Sequence, residues 1–180
     1  AARCGDAPRG YDGTMPTVRD ETPADRDAVR AVLAAAFGGP AEAGLVLALR
    51  SAGGLALSLV VEADGAVAGH VAFSPVALEG GPPLTLLALG PMAVAPAHQG
   101  RGLGAQLARA GLDRCRGADG VVVLGHPGYY PRFGFVPAAR FGLRCEFDAP
   151  PEAFMALPLR PGALDGAGGQ VRYPAAFSRG

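Results

Sequence analysis

The sequence predicts a single domain of mixed α/β class, and three observations support this prediction. The chain has 180 residues, enough for one hydrophobic core without help from metals or disulfides. Segments with helical periodicity are interspersed with β-rich apolar runs, and no internal repeat or linker separates them. Hydrophobic residues make up 49% and charged residues 18%, which is typical of a globular chain.

The first third of the chain predicts a leader, a short strand and two helices. Residues 1–14 lack the apolar stretch of a signal peptide and predict a disordered leader, so that the domain would span residues 15–180. Thr22 is the expected N-cap of the first helix, and Pro23 suits its first position. Its apolar face recurs at helical spacing through Val29, Val32, Leu33, Ala36 and Phe37. A second helix is expected over residues 40–52.

The middle of the chain predicts a hairpin and then a long strand. Two β-rich runs meet at Asp64-Gly65, which is a strong signal for a tight turn. The apolar run 84–96 is interrupted by Gly90-Pro91, where a bulge or a splay is expected. Further along, the pattern predicts a helix at 103–116, a buried strand at 120–125, a turn or short helix at 128–135, and weaker strands at 143–147, 153–159 and 171–177.

Three glycines at alternate positions, Gly100, Gly102 and Gly104, lie between the long strand and the helix that follows it. Such spacing indicates backbone geometry that side chains would obstruct. A turn of this kind at a helix N-terminus presents free N–H groups to an anion, most often a phosphate.

Two familiar phosphate-binding patterns fit the glycine turn poorly. A P-loop requires a lysine, and the chain contains none. A dinucleotide fingerprint fits residues 100–105, but its acidic residue should close the strand after the helix. The available residue, Asp119, precedes that strand instead.

A better match is a family resemblance. "QGRGLG", residues 99–104, is similar to the [RQ]-x-x-G-x-[GA] motif of GNAT-type N-acetyltransferases. "YYPRFGF" resembles the family's Tyr element, with Tyr130 four residues before Gly134-Phe135. The order of elements agrees over about residues 17–136, most closely with small bacterial members of the YhbS type. The resemblance implies a mostly antiparallel mixed sheet, flanked by helices and splayed at the strand before the glycine turn.

The resemblance also implies acetyl-CoA as cosubstrate and no metal. The pantetheine arm would lie between splayed strands, and one backbone N–H would polarise the thioester carbonyl. The cofactor-binding residues implied are Met92, Ala93, Val94, Gln99, Gly100, Arg101, Gly102, Leu103, Gly104 and Ala105.

Tyr130 is the expected general acid, which protonates the departing thiolate, and Tyr129 is the neighbour most easily confused with it. The attacking ammonium must lose a proton, for which His126 is the nearest candidate base. His70, Glu79 and a water molecule remain as alternatives.

The predicted function is transfer of an acetyl group to a primary amine, by direct attack in a ternary complex. Neither motif contains a cysteine, which argues against a covalent acyl-enzyme. Two alternatives stay open: an acyltransferase that uses a longer acyl-CoA or an acyl carrier protein, and a non-catalytic acyl-CoA-binding domain.

Composition limits the partners and the compartment. Sixteen acidic and sixteen basic residues balance, so no net charge recruits nucleic acid, and no apolar run is long enough for a membrane span. Three cysteines without a CxxC pair fit a reducing cytoplasm. The acceptor is a small-molecule or protein amine, and the oligomeric state is open, a homodimer included.

Overall fold

The computed structural model describes residues 15–179, so the leader predicted for residues 1–14 lies outside it. The three α-helices of this range are α1 (Arg26–Phe37), α2 (Ala41–Ser51) and α3 (Leu103–Arg114). Its nine strands are β1 (Thr17–Asp20), β2 (Leu57–Ala63), β3 (Ala66–Glu79), β4 (Leu86–Val94), β5 (Gly120–Leu124), β6 (Val136–Pro137), β7 (Leu143–Cys145), β8 (Phe154–Pro158) and β9 (Gly169–Arg172).

The strands form one mixed sheet in the order β1-β2-β3-β4-β5-β8-β6. Along this path only the β4–β5 pair is parallel. β9 extends the sheet by pairing antiparallel with the end of β3, and β7 pairs parallel with β9. The β2–β3 hairpin turns at Asp64 and Gly65, both with positive φ, as the Asp-Gly signal predicts. The mostly antiparallel mixed sheet is therefore confirmed.

Helices cover both faces of the sheet. α3 packs its apolar side, including Leu103 and Leu107, against Phe73 and its neighbours on one face. A methyl group at Gly111 of α3 would overlap the Phe73 ring, which explains a glycine inside a helix. On the other face, α1 and α2 form a second core that contains Leu33, Val46, Val60 and Ala93, among others.

The start of the first helix differs slightly from the prediction. A 3-10 turn, Pro23–Asp25, precedes α1, and the Thr22 backbone N–H and hydroxyl both donate to the Asp25 carboxylate, at 2.7 and 2.8 Å. Arg19 Nη1 and Nη2 donate to the same carboxylate at 2.7 and 2.8 Å. A buried acid paired to β1 therefore organises this turn. Phe37, expected on the buried face, is 46% exposed at the last residue of α1.

The sheet opens at Gly90-Pro91, a cis peptide bond inside β4. Met92 of β4 pairs with Val71 of β3, and Leu89 of β4 pairs with Phe73 of β3. Residues 90 and 91 of β4 therefore oppose the single residue 72 of β3, which is a bulge. On the other side, β4 pairs with β5 only from Leu86 to Leu89. Within residues 15–179, the segment 92–94 thus keeps β3 on one edge and has no strand on the other. The predicted splay is confirmed.

Candidate active site

A cavity of about 680 Å³ occupies the opening beyond the last β4–β5 pair, and we call it the cleft. The splayed end of β4, the glycine turn, the first turn of α3 and the Tyr element form its walls. Nine of the ten residues expected to hold the cofactor line it, namely Met92, Ala93, Val94, Gln99, Gly100, Gly102, Leu103, Gly104 and Ala105.

The glycine turn has the geometry of an anion-binding helix end. Gly100 and Gly102 have φ of +76° and +79°, in the left-handed region, and Gly102 is the N-cap residue of α3. The chain leaves the space beside both α-carbons open, since a Cβ there would meet nothing within 4 Å. The Gln106 N–H bonds to the Gly102 carbonyl at 3.1 Å, and the backbone N–H groups before it in α3 lack an intrahelical acceptor.

Two side chains of this turn brace it against other elements. Gln99 Nε2 donates to the Val94 carbonyl at 3.0 Å, which ties the turn to the end of β4. Arg101 is the one expected cofactor residue outside the cleft lining. Its guanidinium donates to the Asp64 carboxylate at 2.7 Å and lies 2.8 Å from His98 Nδ1. The hydrogen bond from Arg101 lowers the pKa of the Asp64 carboxyl. Arg101 therefore anchors the turn to the β2–β3 hairpin, and His98, which sequence reasoning missed, lines the cleft.

Tyr130 begins a 3-10 turn, Tyr130–Phe133, and its ring lies on the backbone at the end of β5. A methyl group at Gly125 would approach Tyr130 Cε2 to 2.5 Å, so the ring position requires glycine there. Phe135 packs edge-on against the same ring, with centroids 5.7 Å apart. Burial raises the pKa of Tyr130 to about 12, which keeps its phenol neutral and able to donate a proton.

Tyr129 also lines the cleft, close to the first turn of α3. A methyl group at Gly104 would lie 3.0 Å from the Tyr129 hydroxyl oxygen. The Arg132 guanidinium stacks over the Tyr129 ring, 4.4 Å from its centroid. The two tyrosines thus differ in position: Tyr129 faces the glycine turn, and Tyr130 faces the end of β5.

A second cavity, of about 380 Å³, adjoins the cleft, and we call it the aromatic pocket. Met92, His126 and Tyr130 line both cavities. The remaining wall is mostly apolar and includes Phe37, Leu45, Leu124, Phe147, Tyr173 and Phe177. Sequence reasoning missed these six residues as a group, because they come from five separate segments of the chain.

Of the three side chains considered as a base, only His126 lies at the cavities. It follows β5, is exposed, and its carbonyl accepts the Tyr129 N–H at 3.0 Å. His70 is fully buried on β3, with Nε2 2.8 Å from Ser58 Oγ. Glu79 is exposed at the end of β3 and pairs with Arg172 Nε at 2.6 Å. Neither of the last two lines the cleft or the pocket.

His70 belongs to a buried polar network that supports the sheet. The Ser58 hydroxyl donates to the Glu21 carboxylate, and Arg50 Nη2 lies 2.5 Å from its other oxygen. Burial opposes ionisation of Glu21, but hydrogen bonds from His70, Ser58 and Arg50 outweigh it and lower the pKa to about 2. The network therefore joins β2 and β3 to α2 and to the residue that follows β1.

Over residues 15–179, no group of three or more His, Cys, Asp or Glu side chains is arranged to hold a metal ion. No helix in the described part of the chain is long and apolar enough to cross a membrane.

Comparisons with known proteins identify similar sequences and structures. Residues 55–137 match the sequence model of the acetyltransferase (GNAT) domain. The chain is 42% identical over 165 residues to the uncharacterized N-acetyltransferase YhbS of Escherichia coli K12. The aligned region covers 90% of this chain and 98% of that protein.

Two solved structures extend the comparison. The crystal structure of E. coli YhbS in complex with CoA has a TM-score of 0.87 at 41% identity, over 91% of this chain and 92% of that one. The crystal structure of a GNAT family acetyltransferase from Brucella melitensis in complex with acetyl-CoA has a TM-score of 0.74 at 42% identity, over 91% of this chain and 98% of that one.

Proposed function

The chain belongs to the GNAT family of N-acetyltransferases, and on this premise we propose that it transfers the acetyl group of acetyl-CoA to a primary amine in a ternary complex. The two relatives solved with CoA and with acetyl-CoA support the choice of donor. We propose a small molecule as the acceptor amine, which the small volume of the cavity beside the cleft, about 380 Å³, supports.

One observation carries the proposal: an unpaired strand edge leads directly into an anion-binding helix end. The free edge at residues 92–94 offers backbone groups to the amides of pantetheine. The N–H groups of Leu103, Gly104 and Ala105, together with the dipole of α3, suit the pyrophosphate. Because both parts line one continuous cleft, a single extended ligand can occupy both.

The chemistry follows from the groups where the cavities adjoin. The amine nitrogen attacks the thioester carbonyl carbon, and a backbone N–H at the end of β4 stabilises the developing oxyanion. When the C–S bond breaks, Tyr130 gives its phenolic proton to the thiolate, and the phenolate regains a proton from the nitrogen that has become the amide. His126, directly or through a water molecule, accepts the proton that the ammonium loses.

A second candidate, transfer of a longer acyl chain, is favoured by the apolar wall of the adjoining pocket. If the pocket holds the acyl chain, longer acyl-CoA donors will outperform acetyl-CoA. We propose acetyl-CoA as the donor because two relatives of similar length were solved in complex with CoA and with acetyl-CoA.

The test combines binding with turnover. Titration calorimetry should show binding of acetyl-CoA and none of NAD, and a thiol-release assay should show amine-dependent turnover. Binding of NAD without binding of CoA would refute the donor assignment. Coenzyme binding with no turnover on any amine would leave a non-catalytic acyl-CoA-binding domain.

We also propose a cytoplasmic location. Cys115 and Cys145 are both free, and burial raises the pKa of the Cys115 thiol to about 11. Unpaired structural thiols of this kind persist in a reducing compartment.

A further inference from the structure

We propose that the aromatic pocket is the acceptor site, and that it selects a primary monoamine on an apolar or aromatic body over polyamines and amino acids. This inference rests on the proposed function and names the substrate class of the same site.

Position is the first argument. The pocket and the cleft share Met92, His126 and Tyr130, the residues placed around the reacting bond. A molecule in the pocket therefore lies next to the acid and the base. Its volume of about 380 Å³ matches a small organic ligand rather than a protein segment.

The second argument is the chemistry of the wall. The rings of Phe147, Tyr173 and Phe177 form a continuous surface, with successive centroids 5.1 Å apart. Phe37 and Leu124, which are 46% and 39% exposed, stand among the few exposed large hydrophobic residues of the described chain, and both line this pocket. Exposed apolar side chains that converge on a cavity are stabilised when an apolar ligand covers them.

Charge supplies the third argument. Among the described residues, Glu42 in the first turn of α2 supplies the only carboxylate of the wall, and it forms no ion pair with any of them. None of the described residues that line the pocket is an arginine, so the carboxylate of an amino acid would be desolvated there without a partner from this wall. One carboxylate also leaves the second ammonium of a polyamine unpaired. A single positive charge on an apolar body fits this wall best.

The remaining ionisable groups of the wall agree with this selection. Burial raises the pKa of Tyr173, so its phenol is neutral, as is that of Tyr130. The Tyr173 hydroxyl is buried and has no hydrogen-bond partner among the described residues. Among the described residues of the wall, Glu42 is therefore the only acidic or basic side chain besides the imidazole of His126.

The experiment measures amine binding to the protein–CoA complex by titration calorimetry, where no turnover occurs. The probes are 2-phenylethylamine, ethylamine, spermidine and phenylalanine. We expect the Kd of 2-phenylethylamine to be lower than that of ethylamine by at least about 10-fold, the effect of burying several carbon atoms in an apolar site. Spermidine and phenylalanine should bind more weakly than 2-phenylethylamine. The inference would be overturned if ethylamine, spermidine or phenylalanine bound as tightly as 2-phenylethylamine, or if 2-phenylethylamine did not bind.

Matched variants locate the binding. Glu42→Gln should raise the Kd of 2-phenylethylamine by about 5-fold, and Phe147→Ala, at a residue of the aromatic pocket that lines no neighbouring cavity, by about 10-fold. Two controls sit outside the pocket: Asp27→Asn, in the first turn of α1, and Leu47→Ala, an exposed apolar residue of α2. Both controls should leave amine affinity unchanged. If Asp27→Asn and Glu42→Gln lower affinity equally, the carboxylate attracts amines only through net charge, and the inference is wrong.

Turnover separates this inference from the function it rests on. If polyamines are acetylated but 2-phenylethylamine neither binds nor reacts, the enzyme assignment stands and the pocket inference fails. If 2-phenylethylamine binds but no amine is acetylated, the pocket assignment stands and the enzyme assignment fails. If octanoyl-CoA binds more tightly than acetyl-CoA and prevents 2-phenylethylamine from binding, the pocket holds an acyl chain and the inference fails.

Discussion

The cleft and the aromatic pocket share three residues but are built in opposite ways. The cleft is formed largely by one short stretch, residues 92–105, and it offers mainly backbone groups: a strand edge and a helix N-terminus. The pocket is assembled from side chains of α1, α2, the end of β5 and two segments near the C-terminus. A backbone site suits a ligand with fixed amide and phosphate groups, whereas a side-chain wall can change by single substitutions. The difference implies a constant donor and a variable acceptor.

The largest effect should come from breaking the backbone site. Gly102→Val forces a β-branched residue to φ +79° and places side-chain atoms where the pyrophosphate is proposed to lie. We expect the Kd of acetyl-CoA, measured by calorimetry, to rise by about 100-fold or more, through lost charge-assisted hydrogen bonds and αL strain. Gly53→Val is the matched control, because Gly53 has φ +66° and does not line the cleft. It should lower stability and leave coenzyme affinity intact; an equal loss of affinity in both variants would mean that the effect at Gly102 is only backbone strain.

The second-largest effect should come from removing the phenolic proton of Tyr130, which lines both cavities. Tyr130→Phe keeps the ring that packs on Gly125 and Phe135, so both binding steps should survive. Turnover should fall by about 100-fold if proton transfer limits departure of the thiolate. Tyr129→Phe, beside the glycine turn, should change turnover little. A stopped-flow assay of thiol release on both variants decides between the tyrosines, and a larger loss in Tyr129→Phe would reverse the assignment.

A smaller effect tests whether the position of Tyr130 matters as well as its hydroxyl. Gly125→Ala places a methyl group 2.5 Å from Tyr130 Cε2, so the ring must shift. We expect kcat to fall by about 10-fold while the Kd of acetyl-CoA stays constant, as for a misplaced catalytic group. Gly128→Ala, where a methyl group meets nothing within 4 Å, is the control. Equal activity of Gly125→Ala and the wild type would show that Tyr130 need not be held in place.

The last prediction is the absence of a change with pH. The pKa of Tyr130 is raised by burial to about 12, so its proton-donating form persists well above neutral pH. The kcat on a good amine should therefore stay constant between about pH 8 and about pH 10. A tyrosine with an unperturbed pKa would begin to lose its proton in this range, and kcat would fall. A decline centred near pH 10 that Tyr130→Phe abolishes would mean that the phenol is more solvated than the structure shows.

The same contrast explains what could be predicted from the sequence. The Asp64-Gly65 turn, the interruption at Gly90-Pro91 and the glycine turn are local features, because each depends on the backbone preferences of adjacent residues. Nine of the ten residues that the resemblance implies for the cofactor line one cleft, and Arg101 lies outside its lining. Their role in binding the coenzyme stays a prediction. The ion pair of Arg101 with Asp64, 37 residues away, has no local signal.

The aromatic pocket could not be predicted, because its wall has no such local signal in the sequence. Phe37 fits the helical repeat of α1 but is the last residue of that helix and lines the pocket. Phe147, Tyr173 and Phe177 come from a region of weak pattern, and only the tertiary fold brings them next to Tyr130. From the sequence alone, an aromatic residue is predicted to lie in the hydrophobic core. Only its exposure in the folded protein distinguishes a core residue from one that can contact a ligand.

A crystal structure of the protein with CoA tests the central claim most directly, that the opening in β4 is the point of transfer. The pantetheine arm should lie along residues 92–94, with the pyrophosphate at the N-terminus of α3. The sulfur should stand within about 3 to 4 Å of the Tyr130 hydroxyl, or one water away, and face the aromatic pocket. A sulfur that contacts Tyr129 while Tyr130 points away, or a coenzyme bound outside the cleft, would contradict the account.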